Sequence, residues 1–195
     1  MPSFVLASQS PRRKTLLEWA EIPFEIIVSD IDESYPSNLE IEEVPVYIAK
    51  NKALAVKEII SSTQPTSINK CIIAADTVVV LDQKIIGKPS NRAQAIESLL
   101  ALSGQTHKVI TGVVLLHQDK EISFSEITLV EFHALTPEQI EFYVEKYKPY
   151  DKAGGYAIQE WIGVVGIKKI TGDFYNVMGL PVSKLVQKIK QLNIV

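Results

Sequence analysis

Short apolar runs alternate with amphipathic stretches along the chain, and the spacing within each predicts an element. Residues 3–7 and 24–28 read as strands. Between them residues 11–20 read as a helix, with Ser10 at the capping position and Pro11 in the first turn. Val44, Ile48, Ala55 and Ile59 recur at helical spacing, which predicts a long helix over residues 44–60 with Lys50, Lys52 and Lys57 distributed around it. Cys71–Leu81 is nearly continuous apolar sequence rich in Ile and Val, as expected of a central strand buried on both faces, and Asp82-Gln83 can turn the chain into Lys84–Ile86. Residues 90–102 repeat the helical pattern and close at Gly104, a C-terminal glycine. Residues 109–116 and 122–135 read as paired strands, and Thr136-Pro137 opens a helix running to Tyr147. Residues 156–170 suggest more strand and 181–192 a final helix. Helices interspersed with single strands and hairpins predict an α/β or α+β fold, a mixed central sheet with flanking helices, in one domain over residues 1–195 with two lobes around a cleft.

Composition narrows the class. Of 195 residues 46% are hydrophobic and 22% charged, an ordinary globular balance with enough length to bury a sizeable core. Lys and Arg number 20 against 23 Asp and Glu, a formal net charge of -3. No bulk attraction for nucleic acid or anionic lipid follows, so an anion has to be captured locally. Cys71 is the single cysteine, which excludes an intramolecular disulfide and a zinc site built on several thiolates, and fits a reducing compartment. Residues 1–6 have neither a basic n-region nor a long apolar h-region, and no apolar run approaches the ~20 residues of a membrane span. A cytoplasmic location is expected.

Ser8-Gln9-Ser10-Pro11-Arg12-Arg13 follows a strand and opens a helix, gathering hydroxyls, backbone N–H groups and two guanidinium groups around one point. Such a segment can trap a phosphate, or Ser10 can simply cap while the arginines stay solvated. Asp76 interrupts an apolar strand, where an unpaired carboxylate costs several kcal/mol to bury. Either it meets a cation and water at a cleft or it is bonded to backbone donors; the strand formers flanking it favour the cleft. Asp30, Asp32 and Glu33 form an acidic cluster of a type suited to magnesium or manganese, and equally of a type common in exposed loops. Lys52 and Lys88 read as surface charges unless they converge with acids. In Asp151-Lys152-Ala153-Gly154-Gly155 the glycine pair permits close approach of a ligand. Gln159 offers an acceptor and two donors that match the edge of a uracil or thymine ring, or else it faces solvent in a turn. His107, His117 and His133 form no compact metal motif and read as sheet residues, and Cys71 as a small buried apolar one. No phosphate loop, Gly-x-Gly-x-x-Gly or Gly-x-Ser-x-Gly is present.

Taken in order, Ser8-Gln9-Ser10-Pro11-Arg12-Arg13, Asp30-Ile31-Asp32-Glu33-Ser34, Ala49-Lys50-Asn51-Lys52-Ala53, Ala75-Asp76-Thr77-Val78-Val79, Ile86-Gly87-Lys88-Pro89, Leu102-Ser103-Gly104-Gln105-Thr106-His107, Thr111-Gly112-Val113, Asp151-Lys152-Ala153-Gly154-Gly155-Tyr156 and Asn176-Val177-Met178-Gly179-Leu180-Pro181 resemble the Maf-like nucleoside triphosphate pyrophosphatases nearly end to end. The resemblance implies a Maf/ITPase-like two-lobed fold, usually dimeric, that cleaves a nucleoside triphosphate to the monophosphate and pyrophosphate with a divalent metal, magnesium or manganese. It implies Asp76 as the catalytic base and metal ligand, with Glu33 also on the metal. Arg12, Thr77 and Gln159 match positions that select substrate in the branch acting on dTTP and UTP. Arg13, Lys52, Lys88 and Lys152 match polar pocket residues, and Ser8 and Ser10 belong to the phosphate-facing loop. House-cleaning of unwanted pyrimidine nucleotides is the role such an enzyme suits, with the nucleotide as partner and neither nucleic acid nor membrane. The chain departs from the pattern at Glu160-Trp161, where glycine is expected, and an indole there bears on the base-facing loop. The competing class is a non-catalytic nucleotide-binding regulator of septum formation. Asp76 argues against it, since a carboxylate beside a phosphate site repels the ligand unless a metal intervenes.

Overall fold

The computed structural model describes residues 4–63 and 69–192; Ser3, where the first predicted strand begins, lies outside them. The chain begins with β1 (Phe4–Leu6), α1 (Pro11–Trp19), β2 (Phe24–Ile26) and the long α2 (Val44–Thr63). β3 (Cys71–Leu81) and β4 (Lys84–Ile86) then form a hairpin, followed by α3 (Arg92–Leu102). β5 (Thr106–His117), β6 (Lys120–Phe132) and α4 (Pro137–Tyr147) come next. A short 3-10 turn (Ala153–Gly155), α5 (Trp161–Gly166), β7 (Ile167–Thr171), α6 (Phe174–Met178) and α7 (Val182–Gln191) complete it.

Among the described residues seven strands form one mixed sheet in the order β2-β1-β3-β5-β6-β7, with β4 also on β3. β1 runs parallel to β2 and β3, with Phe4 opposite both Phe24 and Cys71. β4 returns antiparallel through Asp82 and Gln83, whose φ of 48° and 62° are the left-handed pair that a two-residue hairpin requires. β7 lies antiparallel to β6. The α/β fold with a mixed sheet is therefore the one predicted.

Two compact units divide the chain. The first comprises Met1–Asp76, Thr111–Glu126 and Gly179–Val195; the second comprises Thr77–Ile110 and Ile127–Met178. In the first, Val5, Ile72, Ala74 and Val114 of the strands, with Ala7 just past β1, meet Ala49, Ala53, Val56 and Ile60 of α2. Alanines on both sides let α2 lie close to the sheet. Gly112 takes this to the limit, since a Cβ there would stand 2.2 Å from the Val46 nitrogen. The second unit has its own core, in which Leu99 and Leu102 of α3 pack with Phe132, Ile140, Tyr143, Val144 and Ile162.

Residues 156–170 are not one strand. The chain turns at 157–160, forms α5, and only β7 is extended. A short apolar run fits a buried strand or a buried helix equally well, and Gly163 decides between them: a Cβ there would fall 1.8 Å from the Ile158 carbonyl oxygen. α6 was not predicted either, since five residues carry too little period; the Asn176 amide anchors it by donating to the Val109 carbonyl and the Thr128 hydroxyl, both at 3.0 Å. None of the described helices is long and apolar enough to cross a membrane.

Candidate active site

In the first unit the predicted charged residues come together. Asp76 stands in β3 and is 7% exposed. Its Oδ1 accepts from the Lys52 ammonium at 2.7 Å, and Lys52 also lies 2.7 Å from Glu33 Oε1. Two carboxylates from distant parts of the chain thus share one cation, which offsets the cost of desolvating Asp76, while Glu33 stays exposed. Lys52 arrives there because α2 is pressed onto the sheet at Gly112.

Beside them, the buried Arg13 of α1 donates from Nε to the Gly179 carbonyl at 2.8 Å and from Nη1 to Ser8 Oγ at 3.1 Å. Ser8 Oγ also accepts from the Ser10 N–H at 3.2 Å. Ser10 makes no side-chain cap, so its hydroxyl is not spent on the helix. Burial pushes the Arg13 pKa down most, Asp76 and Glu33 push it back up, and neighbouring Arg12 lowers it. The guanidinium stays charged throughout. Of the acidic cluster, Glu33 reaches Lys52. Asp32 instead bends back on Ser34, accepting from its N–H at 2.9 Å and its hydroxyl at 2.7 Å, and these bonds hold its carboxyl below the usual range.

The second unit brings Lys88, Lys152 and Gln159 into neighbouring loops. The Gly154 N–H donates to the Gly87 carbonyl at 3.1 Å, tying the Lys152 loop to the Lys88 loop. Gly154 and Gly155 both sit at left-handed φ, 69° and 70°, and a Cβ on Gly154 would press on Val79 at 3.0 Å. Lys152 is 8% exposed, 2.8 Å from Asp151 Oδ1 and 3.5 Å from Glu160 Oε1. Gln159 is exposed in the turn at 157–160, and Thr77 is half-buried in β3. Next to Gln159, Glu160 accepts from the Tyr143 hydroxyl, and the Trp161 ring packs edge-on to Phe142 at 4.8 Å.

His107 and His117 lie on β5, and His133 just after β6, as sheet-associated residues. Burial pushes the Cys71 thiol up to about 12, so it is inert at neutral pH. Sequence reasoning missed the Gly179 carbonyl that holds Arg13 and the buried Tyr143 behind the Gln159 turn. Gly179 carries a signal, a lone glycine at φ 116° before Leu180-Pro181; Tyr143 reads as any core residue of an amphipathic helix.

A mixed-sheet α/β frame carrying an arginine–lysine–carboxylate cluster suits the binding of a polyanion. The family model described as Maf-like protein matches residues 3–192, and the chain belongs to that family. It is 50% identical over 187 residues to a protein of Parabacteroides distasonis named dTTP/UTP pyrophosphatase, covering 95% of this chain and 94% of the relative. Proteins of the same name from Cytophaga hutchinsonii and Bacteroides thetaiotaomicron are 50% and 47% identical. They cover 96% of this chain in both cases, and 83% and 95% of the relatives. The solved structure of the Staphylococcus aureus Ham1 protein is a looser likeness, with a TM-score of 0.40 and 15% identity over 66% of this chain and 71% of that one.

Proposed function

We propose that this chain hydrolyses nucleoside triphosphates, dTTP and UTP or modified pyrimidine nucleotides among them, to the monophosphate and pyrophosphate. The name dTTP/UTP pyrophosphatase borne by relatives at 47–50% identity supports this. The observation that carries it is the meeting of Asp76 and Glu33 on Lys52, beside the Arg13–Ser8 pair.

Water adds to the α-phosphorus: its oxygen forms the new P–O bond, the bond to the bridging oxygen breaks, and pyrophosphate leaves with that oxygen. Asp76 takes the proton. Lys52 donates to Oδ1, which leaves Oδ2 to accept from the water. Arg13, Lys52 and the Ser8–Ser10 loop offset the triphosphate charge, acting by positioning and electrostatics rather than covalent chemistry. Ser8 Oγ already accepts from two donors, so its own proton can point to a phosphate oxygen. Lys88 and Lys152 are further candidates for offsetting phosphate charge, and Arg12, Thr77 and Gln159 for selecting the base.

A divalent cation, magnesium or manganese, suits the donor set. Asp76 and Glu33 are hard oxygen donors already converging on one positive charge, and among the described residues no group of three or more His, Cys, Asp or Glu is assembled. Magnesium commonly uses one or two protein carboxylates and takes the rest of its shell from water and substrate phosphates. Bound by Asp76 and Glu33, it would polarise phosphate oxygens as a Lewis acid.

The test is a panel of nucleoside triphosphates with and without magnesium, read by release of pyrophosphate and monophosphate. In 18O-labelled water the label is expected in the monophosphate. Label in pyrophosphate would move the attack to the β-phosphorus, and no pyrophosphate from any nucleotide would leave only a binder.

A further inference from the structure

Tyr143 is completely buried, and a buried hydroxyl has to be bonded. It is bonded twice, both times to one four-residue turn. It accepts from the Ala157 N–H at 3.2 Å and donates to Glu160 Oε2, and the turn itself is closed by the Glu160 N–H on the Ala157 carbonyl at 3.1 Å. Gln159 is the third residue of that turn, exposed at its tip, while Ile158 before it is buried. From the other side Gly163 brings the α5 backbone so close to the Ile158 carbonyl that no Cβ would fit.

The support behind the hydroxyl is firm. α4 opens with a reciprocal capping box between Thr136 and Gln139, and the Tyr143 ring stacks on Tyr147 at 4.9 Å and 24°. Burial, and then the neighbouring Glu160 carboxylate, push the phenol pKa up, so it remains a donor. Glu160 reaches from Tyr143 toward Lys152, 3.5 Å away, and joins the same turn to a cation.

An exposed glutamine on a loose turn rotates, presents donor or acceptor at will, and tolerates any base. Held in one orientation, it leaves unmatched bases with unpaired groups. We propose that Tyr143 is a positioning residue for substrate choice: its hydroxyl brackets the turn at 157 and 160 and so fixes how Gln159 is offered to the nucleobase. This rests on Gln159 being the group that reads the base.

Steady-state kinetics of the wild type, Tyr143→Phe and Gln159→Ala on dTTP, UTP and GTP, with thermal unfolding of each, test both levels. Tyr143→Phe is expected to raise KM for dTTP and to cut the dTTP-over-GTP ratio of kcat/KM on the order of ten-fold, with kcat moving much less. Gln159→Ala should cut the ratio at least as far. A merely structural tyrosine would lower stability and reduce activity on all three nucleotides alike, and an unmoved ratio in Tyr143→Phe beside a shifted one in Gln159→Ala overturns the positioning role alone. If neither variant shifts the ratio, the base-reading role of Gln159 falls and this role falls with it. Should Tyr143→Phe fail to fold, Glu160→Ala removes the same bond from the turn's side; the same drop is expected, and an unchanged ratio there overturns the proposal.

Discussion

In the first unit the residues proposed for chemistry are charges that hold one another: Lys52 between Asp76 and Glu33, Arg13 between Ser8 and Gly179. In the second, the proposed reader of the base is a neutral amide left exposed, and what is buried is its support, the Tyr143 hydroxyl and the turn it brackets. The difference follows from the tasks. A group that moves a proton at phosphorus has to be kept out of bulk water and compensated, which demands partners within the protein. A group that reads a base makes its bonds to the ligand, so the protein's contribution is rigidity behind it.

The sharpest break in that comparison is Asp76→Asn. The amide keeps the shape and still accepts from Lys52, but it cannot take a proton from water. A kcat lowered about 10²- to 10⁴-fold with nucleotide binding retained is expected, for every base alike. Isothermal titration beside turnover checks it; an Asp76→Asn enzyme running at full rate would falsify the assignment of the base.

Next come two glycines that play the same part in the two units. Gly112 lets α2 reach the sheet with Lys52, and Gly163 lets α5 reach the Gln159 turn. At either, an added Cβ meets backbone that cannot yield, so Gly112→Ala and Gly163→Ala should each cost about 3 kcal/mol in denaturant unfolding, at the upper end of overpacking. Their kinetic signatures separate. Gly112→Ala is expected to slow all nucleotides equally, and Gly163→Ala to change the preference among them; the reverse pattern would undo the division of labour.

The sheet, the long helix α2 and the hairpin at Asp82-Gln83 were legible because period, apolar runs and turn residues act over a few neighbouring positions. The charged cluster was legible in its members, since an acid in a greasy strand and two arginines at a helix start each need a physical account. Their meeting was not. Lys52 reaches Asp76 through the docking of α2, a tertiary event set by Gly112 and the alanines of the core, and Glu33 joins them from the loop before α2. Residues 156–170 read as strand for a related reason, although a turn at Gln159 was one of the two readings open there: Ile158 and Ile162 are apolar in either geometry, and what tells them apart is contact with Gly163. Asp30 and Asp32 looked like partners of Glu33, yet Asp32 closes on Ser34, two residues on.

A smaller effect distinguishes the units by pH. His107, 1% exposed, lies with Nε2 2.7 Å from the Tyr156 hydroxyl, edge-on to the Phe132 and Tyr156 rings, and burial pushes its pKa from 6.5 down to about 4. The unfolded chain takes up that proton below about 6.5 while the folded one refuses it until about 4. In that window the unfolded state binds more protons, so stability falls as pH drops, by about 2 kcal/mol between pH 7 and pH 5. Urea unfolding at the two pH values should show this loss in the wild type and much less of it in His107→Gln. Equal losses in both proteins would assign the acid sensitivity elsewhere.

The smallest expected effect separates Glu160 from Trp161, the two residues that follow Gln159. Glu160 bonds to the hydroxyl that brackets the turn, whereas Trp161 leans its ring on Phe142 and contributes packing. An edge-on aromatic pair is worth about 1 kcal/mol beyond its buried area. Trp161→Leu, which keeps an apolar side chain at the first position of α5, is therefore expected to lower stability by about that much and to leave the dTTP-over-GTP ratio where it is. Glu160→Ala should do the opposite, moving the ratio more than the melting temperature. Measured side by side, the pair asks whether Glu160-Trp161 bears on recognition through its charge or through its bulk. A ratio that follows the indole rather than the carboxylate would shift the control of Gln159 from the hydroxyl of α4 to the packing of α5.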